Sequence, residues 1–209
     1  ELDSLDGVPV VYQHFFYQAE QSVTYHIKRI MNGYMPPLAA DPDNLINAAE
    51  ADERIQISGD QRKAIRAALT NKITIITGGP GTGKTTIINL IVKIFKQMGI
   101  SVALAAPTGR AAKRITETSG VEAMTIHRLL EYVYSEDENE MEFGRNAENP
   151  LEEDSFIVDE ASMIDLMLMD GFLNALEDDS RLIIVGDADQ LPSVGAGNVL
   201  LDMIHSDYV

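Results

Sequence analysis

The chain has 209 residues, 45% of them hydrophobic and 23% charged, an ordinary globular balance that excludes a disordered or collagen-like protein. It contains no cysteine, which removes disulfide frameworks, Cys-based zinc sites and thiol catalysis and fits a reducing compartment. The net charge of −17 argues at face value against a polyanionic partner, but residues 60 to 134 hold 11 of the 16 bases and are net +7, so phosphate binding is to be sought there.

Taken in chain order, the first apolar series is Tyr12, Phe16, Ala19, Val23, Ile27, Ile30 and Tyr34, the stripe of an amphipathic helix. Asn32 and Gly33 end it, and Pro36 and Pro37 prevent its return. A second short helix is expected around Asn44 to Ala51. Residues 1 to 54 read as a helical appendage, the end of a larger N-terminal region, with no recognisable chemistry. From Ser58 the pattern becomes α/β: helix Gly59 to Leu69, strand Ile73 to Thr77, helix Gly83 to Met98, strand Val102 to Ala105, helix Gly109 to Thr118 and helix Thr125 to Tyr134. After the acidic tract Ser135 to Asp154 come strand Phe156 to Val158, helix Ser162 to Leu176, strand Leu182 to Val185 and a helix from Asn198. The strands are continuous apolar runs, as in a mostly parallel sheet covered on both faces. The tract 135 to 154, with nine acids in 20 residues, is an exposed excursion or hairpin on residues 55 to 209. No run of 18 apolar residues occurs and residues 1 to 6 carry no basic leader, so the expectation is a cytoplasmic protein with no membrane segment.

The strongest chemical signal is Gly78-Gly79-Pro80-Gly81-Thr82-Gly83-Lys84-Thr85-Thr86. It satisfies G-x-x-x-x-G-K-[ST] between an apolar strand and a helix. The glycines let successive N–H groups face phosphate oxygens, Lys84 brings a point charge to the β and γ phosphates, and Thr85 offers a hydroxyl to magnesium. The bland alternative is a glycine-rich turn that binds nothing, and the strand-to-helix context weighs against it. Asp159 and Glu160 stand at the end of an apolar strand, where Asp159 can hold the magnesium shell and Glu160 can polarise a water. Gln190 follows the last strand and can contact the γ-phosphate or that water; otherwise its segment is a plain turn. Thr108, Arg110, Lys113 and Arg114 open a helix after a strand and suit a phosphodiester backbone, as does the second helix start at Thr125 and His127; the alternative is a solvated basic face. Ser58 and Gln61 form a capping box, although the Gln61 amide can equally grip an adenine edge.

In this order, GGPGTGKTT, APTGRAAKR, TIHRLL, IVDEASM and VGDADQLPSVGAGNVL closely resemble the RecD-like family of superfamily 1 DNA helicases, which includes the alpha subunit of exodeoxyribonuclease V. The likeness covers roughly residues 55 to 205. It implies a RecA-like P-loop NTPase domain, the first of two motor domains, in an ATP- and magnesium-dependent helicase that moves 5′-to-3′ on single-stranded DNA in recombination or repair, with partner subunits of a helicase–nuclease complex. Carried across residue by residue, it assigns adenine recognition to Gln61, phosphate and magnesium to residues 79 to 86 (Gly79, Pro80, Gly81, Thr82, Gly83, Lys84, Thr85, Thr86), magnesium and water to Asp159 and Glu160, and γ-phosphate sensing to Gln190. Pro107, Thr108, Arg110, Thr125 and His127 then lie along the DNA track. The family's later motifs, which supply a catalytic arginine from a second motor domain, do not occur in this sequence, so the expectation is an incomplete motor. The alternative is a stand-alone P-loop switch module with a protein partner.

Overall fold

The structure is a computed structural model and describes residues 2–5, 8–135, 140–191 and 193–206. Residues 136–139 of the acidic tract and Pro192 of the QLPSVG run lie outside the described residues. The chain begins with a hairpin of β1 (Leu2–Leu5) and β2 (Val8–Val11), followed by α1 (His14–Asn32), α2 (Pro42–Glu53) and α3 (Gly59–Thr70). Next come β3 (Ile73–Thr77), α4 (Lys84–Gln97), β4 (Val102–Ala106), α5 (Gly109–Ser119), β5 (Ala123–Thr125) and α6 (Ile126–Leu129). An antiparallel hairpin of β6 (Tyr132–Ser135) and β7 (Glu140–Phe143) occupies part of the acidic tract. The chain continues through β8 (Ser155–Val158), a 3-10 turn (Ala161–Met163), α7 (Leu166–Asn174), β9 (Arg181–Gly186) and α8 (Val199–His205).

Five strands form one sheet in the order β3-β9-β8-β4-β5, every pair parallel. Helices cover both faces, which is why the strands are apolar throughout: Phe156, Val158, Leu182 and Ile184 enter the core under α1, α7 and α8. Their neighbours Ile157, Ile183 and Val185 enter the second core, with Ile65, Leu69, Ile91 and Phe95 from α3 and α4. This is the doubly covered α/β architecture of a RecA-like P-loop domain. Because all five strands run the same way, the five loops leaving their C-terminal ends share one edge, where open α/β sheets place their ligands.

Four elements depart from the sequence reading. The stretch before α1, read as part of a helical appendage, forms the β1–β2 hairpin instead. The helix expected over Thr125 to Tyr134 is a single turn, because Glu131 takes a left-handed backbone (φ 52°) and the aromatic and β-branched run after it prefers a strand. The helix expected from Ser162 splits at Asp165, whose carboxylate accepts from Leu168 N at 2.8 Å and caps α7. Strand β5 is an edge strand of three half-buried residues, too short to show a period.

Residues before 55 pack on both layers. Ala19, Val23 and Ile30 of α1 join the core beneath α7, while Ile46 and Ala49 of α2 join the opposite core. Lys72, buried at the foot of β3, donates to Tyr34 O at 3.0 Å. Arg29 does more. Its guanidinium donates to Leu173 O in the last turn of α7 at 2.7 Å, to Leu176 O just beyond it at 2.6 Å, to Asp178 Oδ1 at 2.6 Å and to His26 Nδ1 at 2.8 Å. Burial, with the Arg29 charge behind it, holds the His26 imidazole below its usual pKa, and a neutral ring is the form that can accept from Arg29. Arg29→Ala removes the guanidinium from Leu176 O and from Leu173 O, which keeps Leu176 N at 3.2 Å, and should cost about 1–3 kcal/mol, read in thermal melting as a fall of about 2–12 °C. An unchanged melting temperature would mean that α1 is not clamped through Arg29.

Candidate nucleotide site and adjoining basic edge

The loop after β3 is tied at its start by Gly78 N to Gly186 O at 3.3 Å, joining it to the end of β9. Pro80, Gly81 and Thr82 are exposed at its crown, and Gly79 lies half-buried below them. Thr82 Oγ1 donates back to Gly79 O at 2.9 Å. Lys84, the first residue of α4, donates from Nζ to Gly78 O and, at 3.1 Å, to Gly79 O, so its ammonium sits inside the curl of the loop. Thr85 and Thr86 follow on the first turn of α4, where backbone N–H groups lack intrahelical partners and favour an anion. Gly83 has φ 85°, and a Cβ there would stand 2.2 Å from Gln61 Nε2. Glycine is therefore required both for the left-handed turn and for the approach of Gln61.

Gln61 carries both of its sequence readings at once. Its Oε1 accepts from Ser58 N at 2.9 Å while Ser58 Oγ accepts from Gln61 N at 3.2 Å, closing the capping box of α3. Its Nε2 donates to Thr82 O at 3.0 Å and clamps the phosphate loop. An amide has two donor protons and two acceptor sites, so one of each is left for a base edge.

Beside the loop, the end of β8 delivers the two acids. Asp159 N donates to Ala105 O of β4 at 3.0 Å, and Asp159 Oδ1 accepts from Glu160 N at 2.9 Å. Glu160 itself is left-handed (φ 56°), a strained conformation for a non-glycine residue and common at functional sites. Burial raises the Asp159 pKa, the Glu160 charge adds to it, and the Glu160 N–H, Arg114 and Lys84 oppose it. A desolvated carboxylate with one backbone donor gains most from a cation. Thr85 and Asp159 line one narrow recess with Asn89 and Arg114, which places a residue bearing a hydroxyl near one bearing a carboxylate, both hard donors of the kind magnesium takes. Among the described residues no group of three or more His, Asp or Glu converges on a metal position.

The end of β9 supplies Gln190, exposed, with Nε2 3.5 Å from Asp187 Oδ2 and Oε1 3.4 Å from Ser162 Oγ. It bridges the turns that follow β9 and β8. Gly195 holds the loop beyond against α7: a Cβ there would lie 2.2 Å from Asp165 Oδ2, and Leu166 N donates to Ala196 O at 2.9 Å.

The basic residues follow the next two strands. Pro107 and Thr108 leave β4, and Thr108 caps α5 by accepting from Ala111 N at 3.3 Å. Thr125, paired with Ala106 in the register of β4 and β5, caps α6 by accepting from Arg128 N at 3.1 Å. Arg110, Lys113 and His127 are exposed, with His127 packed edge-on to Tyr132 at 5.4 Å between centroids. One basic residue is placed differently from the sequence reading. Arg114, grouped there with Arg110 and Lys113 on a polyanion face, reaches the acid pair, with Nη1 3.6 Å from Glu160 Oε1. The pairing of β4 beside β8 makes this contact, and nothing local in the sequence foretells it.

A family model described as an AAA domain matches residues 61–196. The RecBCD enzyme subunit RecD of Mycolicibacterium smegmatis is 38% identical over 168 residues, covering 69% of this chain and 30% of that protein. The ATP-dependent RecD2 DNA helicase of Deinococcus radiodurans is 39% identical over 145 residues, covering 69% of this chain and 19% of that protein. This chain thus spans less than a third of the length of these two curated relatives. Among solved structures, one described as two coordinating Pif1 helicases unwinding forked double-stranded DNA matches with a TM-score of 0.50 and 22% identity over 74% of this chain and 38% of that one, a likeness of fold alone. On the family match the chain belongs to the AAA domain family, and over about two thirds of its length it is similar to part of RecD-type proteins.

Proposed function

We propose that the chain binds ATP with magnesium and single-stranded DNA, as the first motor of a 5′-to-3′ DNA helicase acting in recombination or repair in the cytoplasm. Residues 55–209 are the motor unit, and residues 1–54 an appendage clamped to it. The observation that carries this is the division of one sheet edge: the loops of β3, β9 and β8 gather the phosphate loop, Gln190 and the acid pair, and the loops of β4 and β5 present two capped helix starts with exposed bases. A nucleotide and a phosphodiester chain would lie side by side on it. The RecBCD subunit relative supports partner subunits of a helicase–nuclease complex. Among the described residues no helix is long and apolar enough to cross a membrane.

In this reading Lys84 and the first turn of α4 bind the β and γ phosphates, and the free donor and acceptor of Gln61 meet the adenine edge. Thr85 and Asp159 would hold magnesium, whose charge neutralises the phosphates. Glu160 accepts the proton of the attacking water, and Gln190 contacts the γ-phosphate.

DNA contacts from Thr108, Arg110, Lys113, Thr125 and His127 reach backbone, so binding should ignore sequence and weaken with salt. The variant carrying Arg110→Ala and Lys113→Ala should bind oligo-dT more weakly, its log–log salt slope shallower by about 1.4 for two lost phosphate contacts, in fluorescence anisotropy titrations. Unchanged binding would move the DNA site elsewhere. Absence of any salt-sensitive binding by the parent chain would favour a P-loop switch with a protein partner.

A further inference from the structure

Helix α5 carries Arg110 and Arg114 one turn apart, hence on one face. Arg110 is exposed at the capped start of the helix. Arg114 stands 3.6 Å from Glu160 Oε1, yet 68% of its side chain remains exposed, against 23% for Glu160. It also lines the recess shared by Thr85, Asn89 and Asp159. The guanidinium therefore has the acid pair on one side and, on the other, the solvent-facing surface where a strand crossing Thr108 and Arg110 would run.

An exposed ion pair at this separation is weak and exchangeable. A phosphodiester offers a guanidinium two acceptor oxygens in a bidentate geometry. We infer that Arg114 is a positioning residue for which Glu160 and the DNA backbone compete: with no DNA bound it holds the Glu160 carboxylate toward α5, and a phosphate arriving on α5 draws it away and frees Glu160 for the nucleotide side. The inference rests on the reading of α5 as a DNA contact. It links the DNA edge to the nucleotide edge within one domain through a single side chain, and the linkage is reciprocal, since whatever removes Glu160 from Arg114 must also strengthen DNA binding.

The competition can be read without nucleotide, metal or turnover. Oligo-dT affinity would be measured by anisotropy, at several salt concentrations and without magnesium, for the parent chain, Glu160→Gln, Arg114→Ala and the double variant, each first checked by thermal melting. Glu160→Gln should tighten binding about two- to fivefold, the range expected for releasing one exposed ion pair, and should steepen the salt slope. Arg114→Ala should weaken binding by a similar factor, and in that background Glu160→Gln should change nothing. Arg114→Lys, which keeps the charge but not the fork, should fall between the parent and Arg114→Ala and still respond to Glu160→Gln. If Glu160→Gln tightens binding equally with and without Arg114, bulk charge is the cause and the competition is overturned. If it has no effect in either background, the competition is likewise overturned, while the DNA reading stands. If the parent chain shows no salt-dependent binding, the DNA reading itself falls, and the inference with it.

Discussion

Lys84→Ala should weaken the binding of ATP by about 10- to 100-fold, the worth of one charge-assisted contact to a phosphate. The side chain has two roles that the variant removes together. Its ammonium is tied to the Gly78 and Gly79 carbonyls, so it shapes the loop, and as the cation of that loop it would, in the proposed reading, carry the charge that meets the β and γ phosphates. Those contacts lie within one curl of backbone, at the partner-poor start of α4, so no other cation of the loop can substitute. Titrating a fluorescent ATP analogue with magnesium into both proteins measures the loss. Equal affinity would mean that nucleotide binds elsewhere. A loss of affinity together with a large fall in melting temperature would assign the effect to the loop's own stability.

What the sequence made legible was local chemistry. The phosphate loop, the capping box at Ser58 and Gln61, and the helix starts at Thr108 and Thr125 each depend on residues within a few positions of one another, so spacing alone places them. The four long strands were legible as continuous apolar runs because both faces are buried. Strand order was not. Only the arrangement β3-β9-β8-β4-β5 puts Asp159 next to Thr85, and only the adjacency of β4 and β8 turns Arg114 toward Glu160. Arg29 illustrates the same limit, since its partners Leu173, Leu176 and Asp178 lie more than 140 positions away, and a basic residue on a helix otherwise reads as solvated. The edge strand Ala123–Thr125 failed for another reason: three residues carry too little pattern, and its pairing with β4 decides its conformation.

The 209-residue chain by itself should hydrolyse ATP negligibly, without stimulation by single-stranded DNA, and should unwind nothing. An arginine aimed at the transferring phosphate is worth about 10³ to 10⁵ in rate, and the cations placed at this site do not fill that role. Lys84 is committed to the carbonyls of the phosphate loop and, in the proposed reading, to the ground-state phosphates. Arg114 is paired with the Glu160 carboxylate at 3.6 Å. Arg181 is sealed at the far end of β9, 4% exposed, with its guanidinium over the Phe95 ring and Nη1 3.4 Å from Leu69 O, and no Lys or Arg follows it in the sequence. Release of Glu160 by DNA, as inferred above, would remove one obstacle and leave the larger one, because the water that Glu160 activates still attacks a phosphate whose developing charge is unneutralised. Unwinding adds a geometric demand, since a step along DNA requires two bodies that open and close around the nucleotide, and the sheet described here is one. Phosphate release measured with and without a poly-dT oligonucleotide decides the matter. Rapid, DNA-stimulated turnover by this chain would show that its own cations complete the site.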